Sequence, residues 1–300
     1  MGWINSIFGK KAKPEVPENS SDSFESADLK AVVLSDLGNV RTNNEDMGMF
    51  FKVADENIIR EKGYLLLVAD GMGGHQAGEV ASRMAADIIS REYFKQAVNG
   101  SIEKSLAKIF SLANKRIFEL ASAKQQYAGM GTTCTALVVI GQTVYYAHVG
   151  DSRAYFQKGN TLTQVTQDHT FVQELVNNGD ITAEEAAVHP KRNILTNAMG
   201  TKPELRIDTG KWSMSFEEGD RLLLCSDGLY DYLKDEELNE ILSNNLLANS
   251  AAHMIEQAKA RGGHDNITVV LAEKAGAIQN QVAKETKDID LPKTQEYDLP

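Results

Sequence analysis

The chain has 300 residues, ordinary apolar content and a formal net charge of −11 at pH 7. This length allows one or two domains with a full core, and the acidic balance argues against a chain built to hold a polyanion such as nucleic acid. No apolar run approaches the length that spans a bilayer and no secretory signal is recognisable, so we expect an intracellular, cytoplasmic protein without a transmembrane segment.

The first 28 residues are predicted to be a flexible N-terminal extension. A short apolar face precedes a basic cluster, formed by Trp3, Ile4, Ile7 and Phe8 and then by Lys10, Lys11 and Lys13. Residues 14–26 have the composition of a disordered linker. The pattern favours a frayed terminus, with weak association with a membrane surface or a partner as the alternative.

Residues 29–274 are predicted to form one domain that is dense in short strands. Strands are expected at 31–34, 49–53, 64–67, 132–140, 144–149, 154–156, 161–165, 206–212, 221–226 and 267–272. Helices are expected at 79–96, 102–123, 235–242 and 250–261, with a short helix after a capping box formed by Thr182 and Glu185. Many strands with two separated helix pairs predict an α+β fold of stacked sheets covered by helices. Residues 275–300 are predicted to be a flexible tail.

Two cysteines, Cys134 and Cys225, each lie inside an apolar, strand-like run. We expect two buried free thiols in a reducing compartment. Neither is followed by an arginine at the spacing that a thiolate needs to bind a phosphoryl group, which argues against a cysteine-nucleophile phosphatase. The common zinc signatures, a Cys-x-x-Cys pair and His-Glu-x-x-His, are also missing.

Residues 68–82 follow an apolar strand and open the first long helix. Asp70 ends the strand and is followed by Gly71, Gly73 and Gly74. Glycine is needed where something approaches the main chain closely, so this stretch indicates a metal or phosphate beside Asp70. A tight strand-to-helix turn with an ordinary surface aspartate is the alternative.

Four further stretches place an acid beside an apolar run. They contain Glu45 with Asp46, Asp151, Asp227, and Asp265. Singly, each is more often a turn than a ligand, but repeated carboxylates at strand ends imply a cation that offsets their desolvation. Oxygen ligands without cysteine or paired histidine favour Mg²⁺ or Mn²⁺ over zinc.

At these residues the chain resembles the metal-dependent Ser/Thr protein phosphatases of type 2C, in their bacterial form. The matching stretches occur in the family's order over about residues 29–273, at 35–46, 70–79, 131–133, 149–153, 225–231 and 263–266. The resemblance implies an α+β fold with a central antiparallel β-sandwich flanked by helix pairs, a four-layer αββα arrangement with a metal cleft at one end.

The resemblance also implies a site for two divalent cations, Mn²⁺ or Mg²⁺, and no other cofactor. In it, Asp70 bridges both ions, Gly71 offers its carbonyl, Asp227 and Asp265 hold one ion, Glu45 holds the other, and Asp46 orients metal-bound water. Asp151, with Asp227 and Asp231, resembles the weaker third-metal site of the bacterial members, and Asn266 is a neighbour of Asp265.

The implied activity is hydrolysis of phosphoserine and phosphothreonine in proteins, by direct attack of a water activated at the binuclear centre. Arg41 matches the family's phosphate-binding arginine, with a surface salt bridge as the alternative. His75 is a candidate proton donor to the leaving oxygen, against a metal-bound water or a structural histidine. No role is assigned to His148, His169, His189 or His253.

Phosphoproteins, and by resemblance a Hanks-type Ser/Thr kinase and its targets, are the expected partners. Residues 168–201 occupy the place of the family's flap, so we expect them to influence which phosphoprotein docks. The chain is expected to act as a monomer in signal transduction. The competing hypothesis is a catalytically silent phosphoprotein-binding scaffold of the same fold.

Overall fold

The computed structural model describes residues 19–276, except residues 27, 52, 54, 74–76 and 96–99. The strands in this part are β1 Ser20–Glu25, β2 Leu29–Asp36, β3 Asp46–Phe51, β4 Tyr64–Met72, β5 Gly131–Thr132, β6 Cys134–Ile140, β7 Thr143–Val149, β8 Arg153–Lys158, β9 Thr161–Gln164, β10 Asp208–Lys211, β11 Arg221–Cys225 and β12 Ile267–Lys274. The helices are α1 Glu56–Lys62, α2 Ala77–Lys95, α3 Ile102–Ala123, α4 Phe171–Asn178, α5 Ala183–Ala187, α6 Asp227–Tyr230, α7 Asp235–Asn244 and α8 Leu247–Ala260.

The strands form two stacked antiparallel sheets. The first has the order β1-β2-β12-β11-β8-β9, and the second has the order β10-β7-β6-β4-β3, with β5 paired to β4. Strand β4 shows how the layers pack: Leu66 and Val68 point between the sheets, whereas Leu65 and Leu67 point toward α2 and α3. All four side chains are fully buried. A strand covered on both faces reads as a continuous apolar run, which is the pattern that the sequence has here.

The first sheet is covered in the same way on its outer face. Leu223 and Cys225 of β11 pack with Leu238 of α7 and Met254 of α8. The molecule therefore has four layers, with α2 and α3 on one side and α7 and α8 on the other. The predicted αββα arrangement is confirmed, and Cys134 and Cys225 are free and buried as expected.

Local sequence signals explain several helix boundaries. Helix α3 has the predicted bounds, and the hydroxyl of Ser101 caps it by accepting the backbone N–H of Lys104. The predicted capping box before α5 is present, since Thr182 and Glu185 bond each other's backbone N–H groups. Among the described residues, no helix is long and apolar enough to cross a bilayer.

The linker prediction is wrong for residues 20–25. Residues Ser20–Glu25 form β1, which pairs along β2, and the ring of Phe24 stacks on Phe50 with 4.8 Å between centroids. This edge strand is mostly exposed, so its sequence lacks the alternation of apolar and polar residues from which a strand is predicted. The N-terminal apolar and basic groups and the tail from residue 277 lie outside the described residues.

Other predicted strand boundaries differ from the observed ones near the end of the β-sandwich where the acidic residues lie. Strand β4 continues to Met72, so Asp70 lies inside the strand and not at its end, because Gly71 and Met72 pair with β5. The single strand predicted at 132–140 is interrupted at Thr133. Helices α1, α4 and α6 were not predicted, since each is short and gives little periodic signal.

The described chain enters and leaves the fold at opposite ends of the first sheet. The Oδ1 atom of Asn19 accepts the N–H of Leu37 at 3.0 Å, just beyond the end of β2 that leads to the acidic loops. At the other end of β2, Leu29 pairs with Lys274, and the N–H of Ala275 donates to the carbonyl of Asp28 at 3.1 Å.

Candidate metal centre

Three acidic side chains of the second sheet lie together because β3 and β4 are neighbours. Asp46 and Asp70 face each other as cross-strand partners. The carbonyl oxygen of Glu45 accepts the N–H of Gly71 at 3.1 Å and the hydroxyl of Ser82, in α2, at 2.6 Å. Two strands and one helix therefore hold Glu45, Asp46 and Asp70 in one corner of the cleft.

Gly71 is required by this packing. A Cβ atom there would lie 2.5 Å from the carbonyl oxygen of Glu45 and would also collide with the carbonyl of Gly78 in α2. The glycine-rich stretch was expected to allow close approach to its main chain, and at Gly71 the approaching groups include other segments of main chain. Gly74 and His75 lie outside the described residues.

Two acids from the first sheet face the same cleft. Asp227 begins α6 directly after β11, and Asp265 comes just before β12. Oδ1 of Asp265 accepts the N–H of Asn266 at 2.8 Å, and its Oδ2 accepts Nη2 of Arg41 at 2.6 Å. One acid therefore lies beside the end of β11 and one beside the start of β12, as the sequence pattern predicted.

Asn266 joins this edge to the loop between β2 and β3. Its side-chain nitrogen donates to the carbonyls of Leu37 and Asn43 at 3.0 and 3.1 Å, and its side-chain oxygen accepts the N–H of Glu45 at 2.9 Å. One amide therefore fixes both ends of the segment that contains Arg41. Asn266 is also the chain neighbour of Asp265, whose carboxylate accepts its backbone N–H.

Ser226 is a supporting residue that the sequence did not reveal. It is fully buried, its hydroxyl donates to Oδ2 of Asp46 at 2.7 Å, and it accepts the N–H of Thr268 at 3.0 Å. The bond connects the two sheets across the cleft. A hydroxyl that ends an apolar strand was the only available signal, and many structural serines share it.

Asp151 lies in a buried turn that is connected to β4. The N–H of Asp70 donates to the hydroxyl of Thr133 at 2.9 Å, and that hydroxyl lies 2.7 Å from the hydroxyl of Ser152. Asp231, at the end of α6, accepts Nη2 of Arg192 at 3.4 Å. Asp151 and Asp231 therefore border the same cluster, on the side nearest residues 168–201.

The carboxylates raise one another's pKa values. Burial raises the pKa of Asp70 well above its ordinary value, and Asp46, Asp227, Asp151 and Asp265 raise it further. Burial and then Asp151 and Asp265 do the same to the pKa of Asp227. Burial also raises the pKa of Glu45 to about 7, that of Asp46 to about 6 and that of Asp151 to about 7. The cluster is therefore a buried site with excess negative charge.

The donor set fits divalent cations. Oδ1 of Asp227 is buried and has no hydrogen-bond partner in the structure, which is costly unless an ion or water binds it. Within the described ranges, no group of three or more Asp, Glu, His or Cys side chains is positioned to hold a metal ion. Mg²⁺ usually keeps several waters and uses one or two carboxylates, so carboxylates spaced around a shared pocket suit hydrated ions.

Comparison with known proteins shows the relationship of the chain. The family model described as Protein phosphatase 2C matches residues 54–282. The serine/threonine phosphatase stp of Listeria welshimeri is 41% identical over 250 residues, which cover 82% of this chain and 96% of that protein.

Solved structures agree with this match. The Mycobacterium tuberculosis serine/threonine phosphatase PstP/Ppp has a TM-score of 0.73 at 38% identity, covering 83% of this chain and 99% of that chain. The catalytic domain of PstP in complex with two manganese ions has a TM-score of 0.69 at 37% identity, covering 83% and 99% of the two chains.

Proposed function

The chain belongs to the protein phosphatase 2C family, and from this we propose that its acidic cleft is a binuclear Mn²⁺ or Mg²⁺ centre held by Glu45, Asp70, Asp227 and Asp265. The protein is a metal-dependent protein-serine/threonine phosphatase, which hydrolyses phosphoserine and phosphothreonine. The silent-scaffold alternative has no support among the relatives, whose names denote phosphatases. The buried, unpartnered Oδ1 of Asp227 is the observation on which the metal assignment depends.

When bound, the cations supply Lewis-acid activation of a water and neutralise charge on the phosphoryl group. The residues of the chain prepare the site for this. Asp70 is placed by its strand partner Asp46, and Gly71 presents its backbone beside Glu45. We assign the carbonyl of Gly71 as a ligand and Asp46, held by Ser226, as the group that orients the attacking water.

Arg41 is proposed to bind the phosphoryl group of the substrate. Its side chain is half exposed at the rim of the cleft, and one nitrogen is held by Asp265. The planar guanidinium suits two phosphoryl oxygens, and the ion pair orients it before substrate arrives.

A third, weaker cation site is proposed at Asp151, Asp227 and Asp231. Burial raises the pKa of Asp227, and Asp151, Asp265 and Asp231 raise it further, so Asp151 and Asp231 both lie within electrostatic range of Asp227. His75 is proposed to protonate the leaving oxygen. The pH-rate profile of His75→Ala tests this, because an unchanged acidic limb would exclude His75 as the proton donor.

Residues 168–201 are proposed to act as a flap that selects among phosphoproteins, including those of a Hanks-type kinase. The segment contains α4 and α5, and Arg192 reaches the cluster through Asp231. We further propose a cytoplasmic monomer in signal transduction, with weak membrane association through the N-terminal residues as the alternative to a frayed terminus. Exchanging the flap for that of a relative should alter the ranking of phosphopeptide substrates.

The experiment that tests the central proposal compares conservative amide variants. Hydrolysis of p-nitrophenyl phosphate and of a phosphothreonine peptide should require Mn²⁺ or Mg²⁺ and should be lost in Asp70→Asn and Asp227→Asn. Asp22→Asn, at an exposed acid in β1, is the matched control and should retain activity. Full activity of Asp227→Asn would refute the assignment.

A further inference from the structure

His169 contacts the backbone of the turn that carries Asp151. The residue is buried, with 4% of its surface exposed. Its own N–H donates to the carbonyl of Gly150 at 2.7 Å, and its Nδ1 accepts the N–H of Gly150 at 3.1 Å. His169 therefore bonds both backbone polar groups of Gly150, the residue that precedes Asp151.

The partners of His169 fix its tautomer. Nε2 lies 3.1 Å from Oδ2 of Asp208, and a carboxylate can only accept, so Nε2 holds the proton. Nδ1 then has a free lone pair, as its contacts with the donors of Gly150 and Asn197 require. Arg206 holds Asp208 in turn through hydrogen bonds of 2.9 and 2.8 Å. This is the arrangement by which a carboxylate sets which imidazole nitrogen is available.

The turn at Gly150 has little freedom to move. Gly150 has φ of +107°, and a Cβ there would lie 2.5 Å from Cβ of Thr133. On one side the turn meets the hydroxyls of Thr133 and Ser152, which lead to Asp70. On the other side it meets His169. The carboxylate of Asp151, itself 5% exposed, takes its position from these two attachments.

We propose that His169, oriented by Asp208, is a positioning residue that fixes the backbone of Gly150 and thereby sets the position of Asp151 in the third cation site. The proposal rests on the assignment of Asp151 to that site. It gives a role to a histidine for which the sequence pattern indicated none.

Two amide variants distinguish the role of Nδ1 from that of Nε2 in the ring of His169. In His169→Asn the side-chain oxygen replaces Nδ1 and still accepts the N–H of Gly150. In His169→Gln the side-chain nitrogen replaces Nε2 and keeps only the bond to Asp208. We expect His169→Gln to weaken Mn²⁺ binding at the weakest site about tenfold, and His169→Asn to change it less than about twofold.

Binding is measured on the full chain by calorimetric titration and by the spin-resonance signal of free Mn²⁺. The double variant His169→Gln with Asp151→Asn should bind Mn²⁺ like Asp151→Asn alone. If His169 acts only through Asp151, the effects of the two substitutions on Mn²⁺ affinity are not additive. Asp208→Asn should also weaken Mn²⁺ binding at this site, because Arg206 donates to both oxygens of Asp208 and a single amide oxygen cannot accept from both Arg206 nitrogens and from Nε2 of His169. Ile109→Val, in the core at α3, controls for lost stability and should leave Mn²⁺ binding unchanged.

The outcomes separate the two assignments. If Asp151→Asn leaves all Mn²⁺ binding unchanged, Asp151 is not a ligand, and both the third site and this proposal fail. If Asp151→Asn weakens binding but His169→Gln and Asp208→Asn bind like the unmodified chain, the positioning role alone is refuted. Equal losses in His169→Gln and His169→Asn, or additive effects in the double variant, would also overturn it.

Discussion

Arg41 donates a hydrogen bond of 2.6 Å to Oδ2 of Asp265, which ties the residue proposed to bind phosphate to one proposed to bind metal. The two side chains are 50% and 38% exposed. Exposed ion pairs contribute little to stability, so the main effect of this contact is to place the guanidinium at the rim of the cleft.

Replacing Arg41 by alanine should therefore reduce activity without unfolding the protein. We expect kcat/KM for p-nitrophenyl phosphate to fall by about 10- to 100-fold, the effect of losing charge-assisted hydrogen bonds. The melting temperature should change by less than about 2 °C. Arg41→Lys keeps the positive charge but lacks the paired N–H donors of the guanidinium, so it should lower kcat/KM by less than Arg41→Ala does. If the kinetics of Arg41→Ala were unchanged, Arg41 would not bind phosphate and its contact with Asp265 would be an ordinary surface salt bridge.

Gly71→Ala should damage both stability and metal binding. The added methyl would meet the carbonyl of Glu45 at 2.5 Å, and overpacking of this kind costs about 1–3 kcal/mol. Denaturant unfolding measures the loss, and calorimetry measures Mn²⁺ affinity. Gly159→Ala, in an open turn with no atom within 4 Å, is the control and should leave Mn²⁺ affinity intact. Normal Mn²⁺ binding by Gly71→Ala would argue against close packing at this corner.

Mn²⁺ should stabilise the protein, and Asp227→Asn should weaken that response. A ligand that binds only the folded state raises the free energy of unfolding by about 2.7 kcal/mol when its concentration is a hundred times its Kd. In EDTA the variant should be at least as stable as the unmodified chain, because the amide removes a buried charge that Asp151 and Asp265 repel. Thermal melts with EDTA and with Mn²⁺ make the comparison. An Asp227→Asn protein that is much less stable in EDTA would contradict the predicted repulsion.

The stabilisation by Mn²⁺ should also grow with pH. Burial raises the pKa of Glu45 to about 7 and that of Asp46 to about 6. A carboxyl with a raised folded pKa contributes stability that is complete below its unfolded pKa and is lost as pH rises through the folded pKa. Metal-free protein should thus lose this contribution between about pH 4.5 and 7, and bound cations should offset the loss.

Urea unfolding at several pH values, with EDTA or with Mn²⁺, tests this pH dependence. Burial lowers the pKa of His148, which acts in the opposite sense on stability, but it affects both sets of samples. The difference between the two sets therefore reports the carboxylates. A difference that shrinks as pH rises from 5 to 7 would be inconsistent with the predicted shifts.

The sequence predicted those parts of the molecule that repeat a local pattern. Helix α3 and strand β4 have long periodic or continuous apolar runs, and both occur where expected. Strand β1 was missed because an exposed edge strand has a polar sequence. Its stability comes from pairing with β2 and from the contact between Phe24 and Phe50, neither of which is local.

The candidate site shows the same division. The acids were recognisable because each stands beside an apolar run, and the structure brings Asp46, Asp227 and Asp265 close enough to Asp70 to add to the rise that burial causes in the pKa of Asp70. The hydroxyl of Ser226 and the ring of His169 were not recognisable, because their partners are distant in the chain.

The entry point of the described chain has a practical consequence for handling the enzyme. Asn19 contacts Leu37 at the end of the sandwich that holds the acidic cleft, whereas Ala275 lies at the far end. A bead, a surface or a fusion protein joined directly to Asn19 would sit near the mouth of the acidic cleft, whereas one joined directly to residue 276 would sit at the opposite end. Immobilised assays of large phosphoprotein substrates should therefore use the C-terminal side.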